Sequence, residues 1–409
     1  MTWSESNRRC SLNLVVKISA FRCNCSKKVV HMTRPTTIHQ AFATIYDPRQ
    51  ASKVEYPLIN IIFMAICASL CGADDWVQTE AFAHSQKEWL AQFLDMSAGV
   101  PCHDTFGNVF AKVHCEEFSD HFHKWMQLLS PDAPKHVAVD GKIPRGSRDS
   151  AIGRGAIDMV SAYATASGLT LAQRKVDEKS NEITAIPQLL ALLELKDCVV
   201  TIDAIGCQTE IVAQIDAAGG DAIIALKGNQ GSLYEDTVEM FRYFDNIEFK
   251  QVPHSHARQL NKGHGRVEVR EAWAFQPADF ADYFRTLDRW PAVQALIRRK
   301  TQRTIGSHVE EETRYYLSTL EAPVSEQMVY IRDHWRIENE LHWVLDVAFR
   351  EDKQRMRKNN SAANAACLRH MVLNLLRMDN SKGSIATKRM RCAWDSAYRE
   401  RVLEPILQL

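Results

Sequence analysis

No stretch of the 409 residues approaches the roughly 18 to 20 consecutive apolar positions that a membrane-spanning helix needs. The longest candidate, Leu58–Leu70, is interrupted by Asn60. Net charge is missing too: 50 Lys and Arg balance 50 Asp and Glu, so the chain is neither a polybasic nor a polyacidic binder as a whole. Among eleven cysteines there is a Cys23-x-Cys25 pair but no Cys-x-x-Cys, which removes the usual spacing of a structural zinc site. Their odd number, in a chain long enough not to need staples, predicts reduced thiols in a reducing, cytoplasmic setting. With 45% hydrophobic and 24% charged residues, the composition excludes disorder, collagen-like structure and a disulfide scaffold. The length predicts two or three cores.

Both ends are basic, and the middle of the chain is acidic enough to compensate. Residues 1–35 carry seven Lys or Arg against one acid, Glu5, and residues 351–409 carry twelve against six. The stretch 1–35 is expected to be a basic, poorly ordered extension, with Met32 near the start of the folded chain. The competing reading makes it a basic arm that contacts nucleic acid.

Residues 36–130 read as helical. Leu58–Leu70 has a buried-helix pattern, 76–93 places Trp76, Phe82, Trp89 and Phe93 near helical spacing, and 102–113 follows Pro101. An all-helical domain with its own core is expected, ending at the linker Ser130-Pro-Asp-Ala-Pro134. The pattern then changes abruptly. Runs at 136–140, 156–164 and 169–176 predict three successive strands, the last two joined by the turn Ala166-Ser167-Gly168. A helix at 181–195, a buried strand at 198–203, a helix at 208–218 and a strand at 222–226 complete the order β-β-β-α-β-α-β.

With Asp140 ending the first strand and Asp203 the fourth, this is the order of a ribonuclease-H-like core, whose first and fourth strands lie side by side. The expected class is α/β. A ribonuclease-H-like catalytic domain with a mixed sheet occupies 135–375, a β-rich insertion at about 231–320 interrupts it, the helical domain precedes it, and a basic helical tail covers 376–409. Within the insertion, 267–275 and 314–320 read as strands and Arg298-Arg-Lys300 with Arg303 as a basic cluster. A long helix is expected from about Ser325.

Carboxylates at strand ends are costly unless they bind something. Three such acids suffice for a pair of divalent ions, which activate the attacking oxygen and stabilise the leaving one in phosphodiester chemistry. The third acid is expected from the helix 328–349, where His334, Glu338, His342 and Asp346 share a stripe at four-residue spacing. Trp335, Leu341 and Leu345 are expected to pack beside it, and Glu340 and Glu351 to be surface charges. An Asp at a strand end is more commonly a cap or turn former; two in matching elements, with Glu338 on a later helix, bring the metal reading level with that one. His334 and His342 read equally as core histidines or phosphate contacts. The same helix offers a different chemistry, a zinc hydrolase with His334, Glu338 and His342 as ligands.

Several short runs stand in a telling order: Asp47-Pro-Arg49, Gly72-Ala-Asp-Asp-Trp76, Val139-Asp-Gly-Lys142, Asp177-Glu-Lys-Ser-Asn-Glu-Ile-Thr-Ala-Ile-Pro187, Asp203-Ala-Ile-Gly-Cys-Gln208, Leu226-Lys-Gly-Asn-Gln230, Gly263-His-Gly-Arg266, His334-Trp-Arg-Ile-Glu-Asn339, Leu341-His-Trp343 and Leu345-Asp-Val347. Over about residues 40–375 the sequence resembles the H-repeat-associated (ISAs-type) insertion-sequence transposases, a group of DDE transposases. The resemblance implies Asp140, Asp203 and Glu338 as the catalytic, metal-binding triad, with Mg²⁺ as cofactor and Mn²⁺ as its substitute. It implies cleavage at element ends and strand transfer into target DNA, by a homodimer or larger synaptic complex that is cytoplasmic and nucleoid-associated.

One departure stands out. The Tyr, Arg and Lys that the wider superfamily carries on the final helix are replaced here by Ile331, His334 and Leu345. His334 and Lys142 are then the expected phosphate contacts, with His342, Arg298 and Arg299 as further substrate-binding candidates; Trp290, Arg298 and Arg299 could stack on or clamp a displaced base, against the commoner reading of solvated surface residues. The helical region is expected to read the inverted repeats, with 101–113 as a helix-turn-helix reader. The main competing reading is a relic that keeps the fold and the DNA grip without the chemistry.

Overall fold

Two helices organise the helical part of the chain, one apolar on nearly every side and therefore accommodated only inside a core, the other buried nearly all round with its few polar side chains bonded internally. The computed structural model describes residues 37–177, 180–263 and 265–407, so the basic stretch 1–35 and both readings of it lie outside the described residues. Six helices come first: α1 Thr37–Ala41, α2 Leu58–Leu70, α3 Trp76–Ser85, α4 Lys87–Leu90, α5 His103–Lys112 and α6 Cys115–Leu129. In α2 every residue but Ile59 is buried. The apolar pattern across 76–93 divides at Gln86, which leaves helical geometry (φ −110°, ψ 21°). The stripe Phe118, Phe122, Trp125 and Met126 turns α6 inward.

A nine-stranded mixed sheet follows, in the order β3-β2-β1-β4-β5-β9-β8-β7-β6. Its first five strands are β1 His136–Lys142, β2 Met159–Ala164, β3 Leu169–Lys175, β4 Val199–Ile202 and β5 Asp221–Leu226, with α7 Glu182–Leu190 and α8 Thr209–Ala217 between them. Strands β1, β4 and β5 are parallel neighbours, and β2 and β3 extend the sheet antiparallel from β1. Alternation sorts the side chains of β1 onto two faces: Val137 and Val139 join the core under α7 and α8, whereas Ala138 joins the helical core on the other side.

The segment read as a β-rich insertion opens with a helix, α9 Gly231–Asn246, and then extends the same sheet. Its strands are β6 Ser255–Gly263, β7 Arg266–Phe275, β8 Ala295–Ile305 and β9 His308–Ser318, and β9 pairs antiparallel with β5. Two of these, β6 and β8, escape a hydrophobicity reading because β6 is largely polar and the outer half of β8 is charged.

The last helices are α10 Val324–Asp333, α11 Trp343–Ala348, α12 Ser361–Met378, α13 Ile385–Trp394 and α14 Ser396–Leu407, with a π-helical turn, Ile337–His342, between α10 and α11. Helix α12 is buried from Ser361 to Leu376 and fastens the helical region to the sheet. Its Asn374 side chain donates to Thr170 O (2.8 Å) and accepts from Thr170 N (3.0 Å), and Asn364 donates to Phe110 O and Val113 O at the end of α5. The amino-terminal helices therefore do not close a core alone: one continuous cluster joins Ile61, Phe110 and Trp125 to Met371, Leu403 and Ile406. Part of the basic tail is used internally, since Lys388, Arg389 and Arg399 are buried and hold Leu376 O, Ser69 O and Gln86 respectively. No helix among the described residues is long and apolar enough to cross a membrane.

The shared core makes a distal prediction. Leu403→Ala on α14 should cost about 2–5 kcal/mol, as large-to-small changes in full cores do, and denaturant unfolding should remain one transition for helices and sheet together. A separate early transition confined to helical signal would contradict it.

Candidate active site

The site begins with strand register. Val139 pairs with Ile202 across the parallel β1–β4 ladder, so the next residues, Asp140 and Asp203, stand side by side on the same face. Asp203 leaves β4 as a cap: its carboxylate accepts from Ile205 N at 3.0 Å, which fixes its orientation as the chain turns. It is thus a turn former and a wall of the site together. Gly141 follows Asp140, and a Cβ there would fall 2.1 Å from Glu182 Oε1, so only glycine lets that carboxylate lie against the strand.

Glu338 arrives from the opposite wall. The helix expected over 328–349 is interrupted: Trp343 N bonds to Glu338 O, the i to i+5 pattern of a π turn, a feature frequent at functional sites. Ile337, Leu341 and Leu345 bury themselves in the helical core, and this sets Glu338 and His342 against β1. His342 Nδ1 lies 3.5 Å from Glu338 Oε2 and 3.7 Å from Asp140 Oδ2. Ligand atoms of Asp140, Glu338 and His342 all fall within 4.8 Å of one another. Asp203 stands outside that tight group but lines the same cavity of about 300 Å³, with Asp140 and Glu338.

Crowded carboxylates resist ionisation. Burial first, and then the charges of Glu338 and Asp203, push Asp140 up to about 8. Glu338 is held below the ordinary range, by the His342 ring in the first place, so Asp140 is the member of the pair that keeps a proton. Glu182, a further acid that the sequence pattern did not single out, is pushed up to about 7 by burial and then by Asp158 and Asp203.

The other expected site residues divide. His334 lines the cavity, but its Nδ1 is 3.0 Å from Thr201 Oγ1, in a chain that continues to His136 and Thr165. Burial lowers it to about 4, so it is a neutral partner and not a cation. It also stands outside the Asp140, Glu338 and His342 group, which leaves the zinc arrangement without its third ligand. Lys142 is beside the site, yet its ammonium is 2.7 Å from Asp346 and 4.0 Å from Glu351.

Arg298 and Arg299 are not brought to the carboxylates. Arg298 is buried in an ion pair with Asp245 (2.6 Å), its guanidinium over the Phe241 and Trp273 rings; Arg299, on the opposite face of β8, is buried near Glu312 and over Tyr316. Trp290 is likewise in the core. Of the two expected surface charges, Glu351 is instead buried against Arg369 (2.8 Å), whereas Glu340 stays half-exposed and accepts from Tyr163 Oη (2.7 Å) and Arg336 (2.9 Å). Trp335, expected to pack, is 42% exposed under the Arg314 guanidinium. Ile331 and Leu345, where the superfamily has Tyr and Lys, are buried.

Cations do line the cavity, and they are Lys227 and Arg314. Lys227 directly follows β5 in the Leu226-Lys-Gly-Asn-Gln230 run, a position equivalent to that of Asp203 after β4, and this was the signal available in the sequence. That loop is anchored, since Asn229 donates to Ala204 O at 2.6 Å. Arg314 gave no such signal, because its strand reaches the cavity only through pairing with β5.

The chain matches known proteins over most of its length. Residues 131–375 match the family model described as "Transposase DDE domain", and residues 39–126 match the model "DDE_Tnp_1-associated". The chain is 37% identical to "Putative transposase YncI" of Escherichia coli O157:H7 over 90% of its length and 94% of that protein's. It is 36% identical to "H repeat-associated putative transposase YhhI" of Escherichia coli strain K12, covering 88% and 95%.

A stability test follows from Asp140. Its folded pKa lies above its unfolded value, so the folded state binds the extra proton and stability falls as pH rises through the interval from about 4 to about 8. Without divalent ions, Asp140→Asn should melt above the wild type at pH 8, and the gap should close toward pH 4. A gap independent of pH would contradict the crowding.

Proposed function

The chain belongs to the DDE transposases, and from that premise we propose that it cuts DNA at the ends of its element and joins them to a target, using Asp140, Asp203 and Glu338. The observation that carries this reading is the register of β1 and β4, which sets Asp140 beside Asp203, in one cavity with Glu338. The sheet order β3-β2-β1-β4-β5 supports a ribonuclease-H-like core.

The donor set fits divalent cations. Hard carboxylate oxygens outnumber the single nitrogen of His342, as Mg²⁺ prefers and Mn²⁺ accepts, and a dication relieves the repulsion that protonates Asp140. Asp140 and Asp203 would hold one ion and Asp140, Glu338 and His342 the other; bound ions lower the barrier by activating the attacking oxygen and stabilising the leaving one. The chain's own cations have a separate task. Lys227 and Arg314 neutralise the scissile phosphate, and the half-exposed Trp335 offers a face on which a base stacks.

In the first reaction water attacks phosphorus, the bond to the 3′ oxygen breaks, and the element end is left with a 3′ hydroxyl. In the second, that hydroxyl attacks a target phosphodiester and displaces the target's own 3′ oxygen. Both use one cavity, so two ends must be held together and the working unit is a dimer or larger. The helical region, with the outer face of α5 as reader, takes the inverted repeats. The relic reading rests on Ile331, His334 and Leu345 at the positions of the superfamily's Tyr, Arg and Lys.

Full-length protein with DNA bearing its element ends and Mg²⁺ or Mn²⁺ decides between them. The wild type should nick that DNA. Asp140→Asn and Glu338→Gln should each lose several kcal/mol of transition-state stabilisation, about a thousandfold in rate. Absence of nicking by the wild type with either ion would select the relic.

A further inference from the structure

The extended part of the sheet carries an arginine-rich groove that the catalytic reading does not use. Alternation along β7, β8 and β9 puts Arg266, Arg270, Arg299, Arg303 and Arg314 on one face. Arg332 on α10 faces them across a cleft of about 600 Å³, whose lining holds seven arginines and three acids. Four of the seven arginines are matched: Arg270 by Glu268 (2.7 Å), Arg314 and Arg299 by Glu312 (2.6 and 3.7 Å) and Arg336 by Glu340 (2.9 Å). Arg266, Arg303 and Arg332 make no ion pair within 4.0 Å among the described residues.

Two features set the groove apart from a solvated charged face. First, several donors inside it lack a hydrogen-bond partner although they are shielded from solvent: Arg270 Nη1, Arg299 Nε, Arg303 Nε and Thr301 Oγ1. Unmet buried donors are costly and imply an absent acceptor. Burial, and then the like charges of Arg332 and Arg299, also hold the Arg270 guanidinium below its usual range. Second, the groove is continuous with the active site, since Arg314 and Trp335 line both cavities.

We propose that this groove is the phosphate track that carries a DNA strand to or from the carboxylates. It rests on the transposase reading and adds to it the surface by which this chain grips the backbone. Repeated anions at one charge per nucleotide match a row of guanidinium groups on strands, and arginine forks suit phosphate oxygens. Such contacts position the strand without reading sequence. The basic cluster recognisable in the sequence thus divides by parity: Arg298 supports the fold, whereas Arg299 and Arg303 face the track.

The test is the salt dependence of DNA binding by the full chain, with a random-sequence duplex, in Arg266→Gln, Arg303→Gln, Arg332→Gln and the triple variant. Each lost phosphate contact should flatten the slope of log K against log salt by about 0.9, so the triple variant should lose about 2.7. Mn²⁺ binding should be unchanged, and a triple Lys variant should restore most of the slope. If the triple variant folds poorly, Arg266→Gln and Arg332→Gln, both exposed, decide the matter alone. A wild-type slope in the variants overturns the track and leaves the transposase reading standing, and a shift in oligomeric state at that unchanged slope would make the groove an interface between copies. Failure of the wild type to bind any duplex overturns both.

Discussion

The structure turns on the parallel pairing of β1 with β4. A single register places two carboxylates next to each other where the β1–β4 ladder ends, and a shift of one residue would send one of them to the opposite face. Strand β1 itself runs on to Lys142 beside β2 and is not closed by Asp140 as expected. Val137, Val139, Val200 and Ile202 fill the core beneath α7 and α8, and their burial specifies that register. The same hydrophobic pattern that folds the sheet therefore aligns the acids. Asp203 is further restrained by capping its own turn, so the geometry does not depend on a flexible loop.

Holding the third acid there is unfavourable unless something opposes it. Were Asp140 and Glu338 both ionised, two unit charges within 4.8 Å would repel by at least about 3 kcal/mol at an effective dielectric of about 20, a large share of the roughly 5–15 kcal/mol that keeps a typical domain folded. The proton on Asp140 relieves this repulsion only below about pH 8. The helical core supplies the opposition. Ile337, Leu341 and Leu345 are buried among helices that contact both the first helical region and the tail, and α12 ties that cluster to β3 through Asn374. Ion pairs continue outward, from the partly exposed Lys142 and Asp346 to the buried Glu351 and Arg369, so the cations nearest the acids are already committed to structure. The site is left short of positive charge at its centre and rich in it at the rim. That distribution suits a dication in the middle and a polyanion outside.

Much of this was legible in the sequence. The order of strands and helices through β5 was readable because each strand is a short apolar run ended by a turn residue, and Asp140 and Asp203 were conspicuous as charges closing such runs. Glu338 was readable as the acid on a later helix. Illegible features share one cause, which is that their partners are remote. Arg298 looks solvated until Asp245 and the Phe241 ring are placed beside it, 53 and 57 residues away. Glu351 looks like a surface charge until Arg369 covers it. The charged half of β8 scores as loop because its neighbours on β7 and β9 are charged in complement, Glu268 and Glu310 opposite Arg303. The π turn leaves no mark, since His334, Glu338 and His342 keep the four-residue spacing whether or not the helix widens.

The two chemistries the sequence allowed differ in whether His334 joins Glu338 and His342 as a ligand. In a continuous α-helix the three side chains would follow one stripe, as a zinc site requires. Here α10 ends before His334, which turns to Thr201 and the buried His136, while the widened turn sets Glu338 and His342 against Asp140. One helix thus serves two walls: its first part closes the sheet over β4, and its second delivers an acid to β1. The candidate ligand group of Asp140, Glu338 and His342 is thus assembled across this backbone irregularity and β1, with two carboxylates to one imidazole, while His334 is held by Thr201.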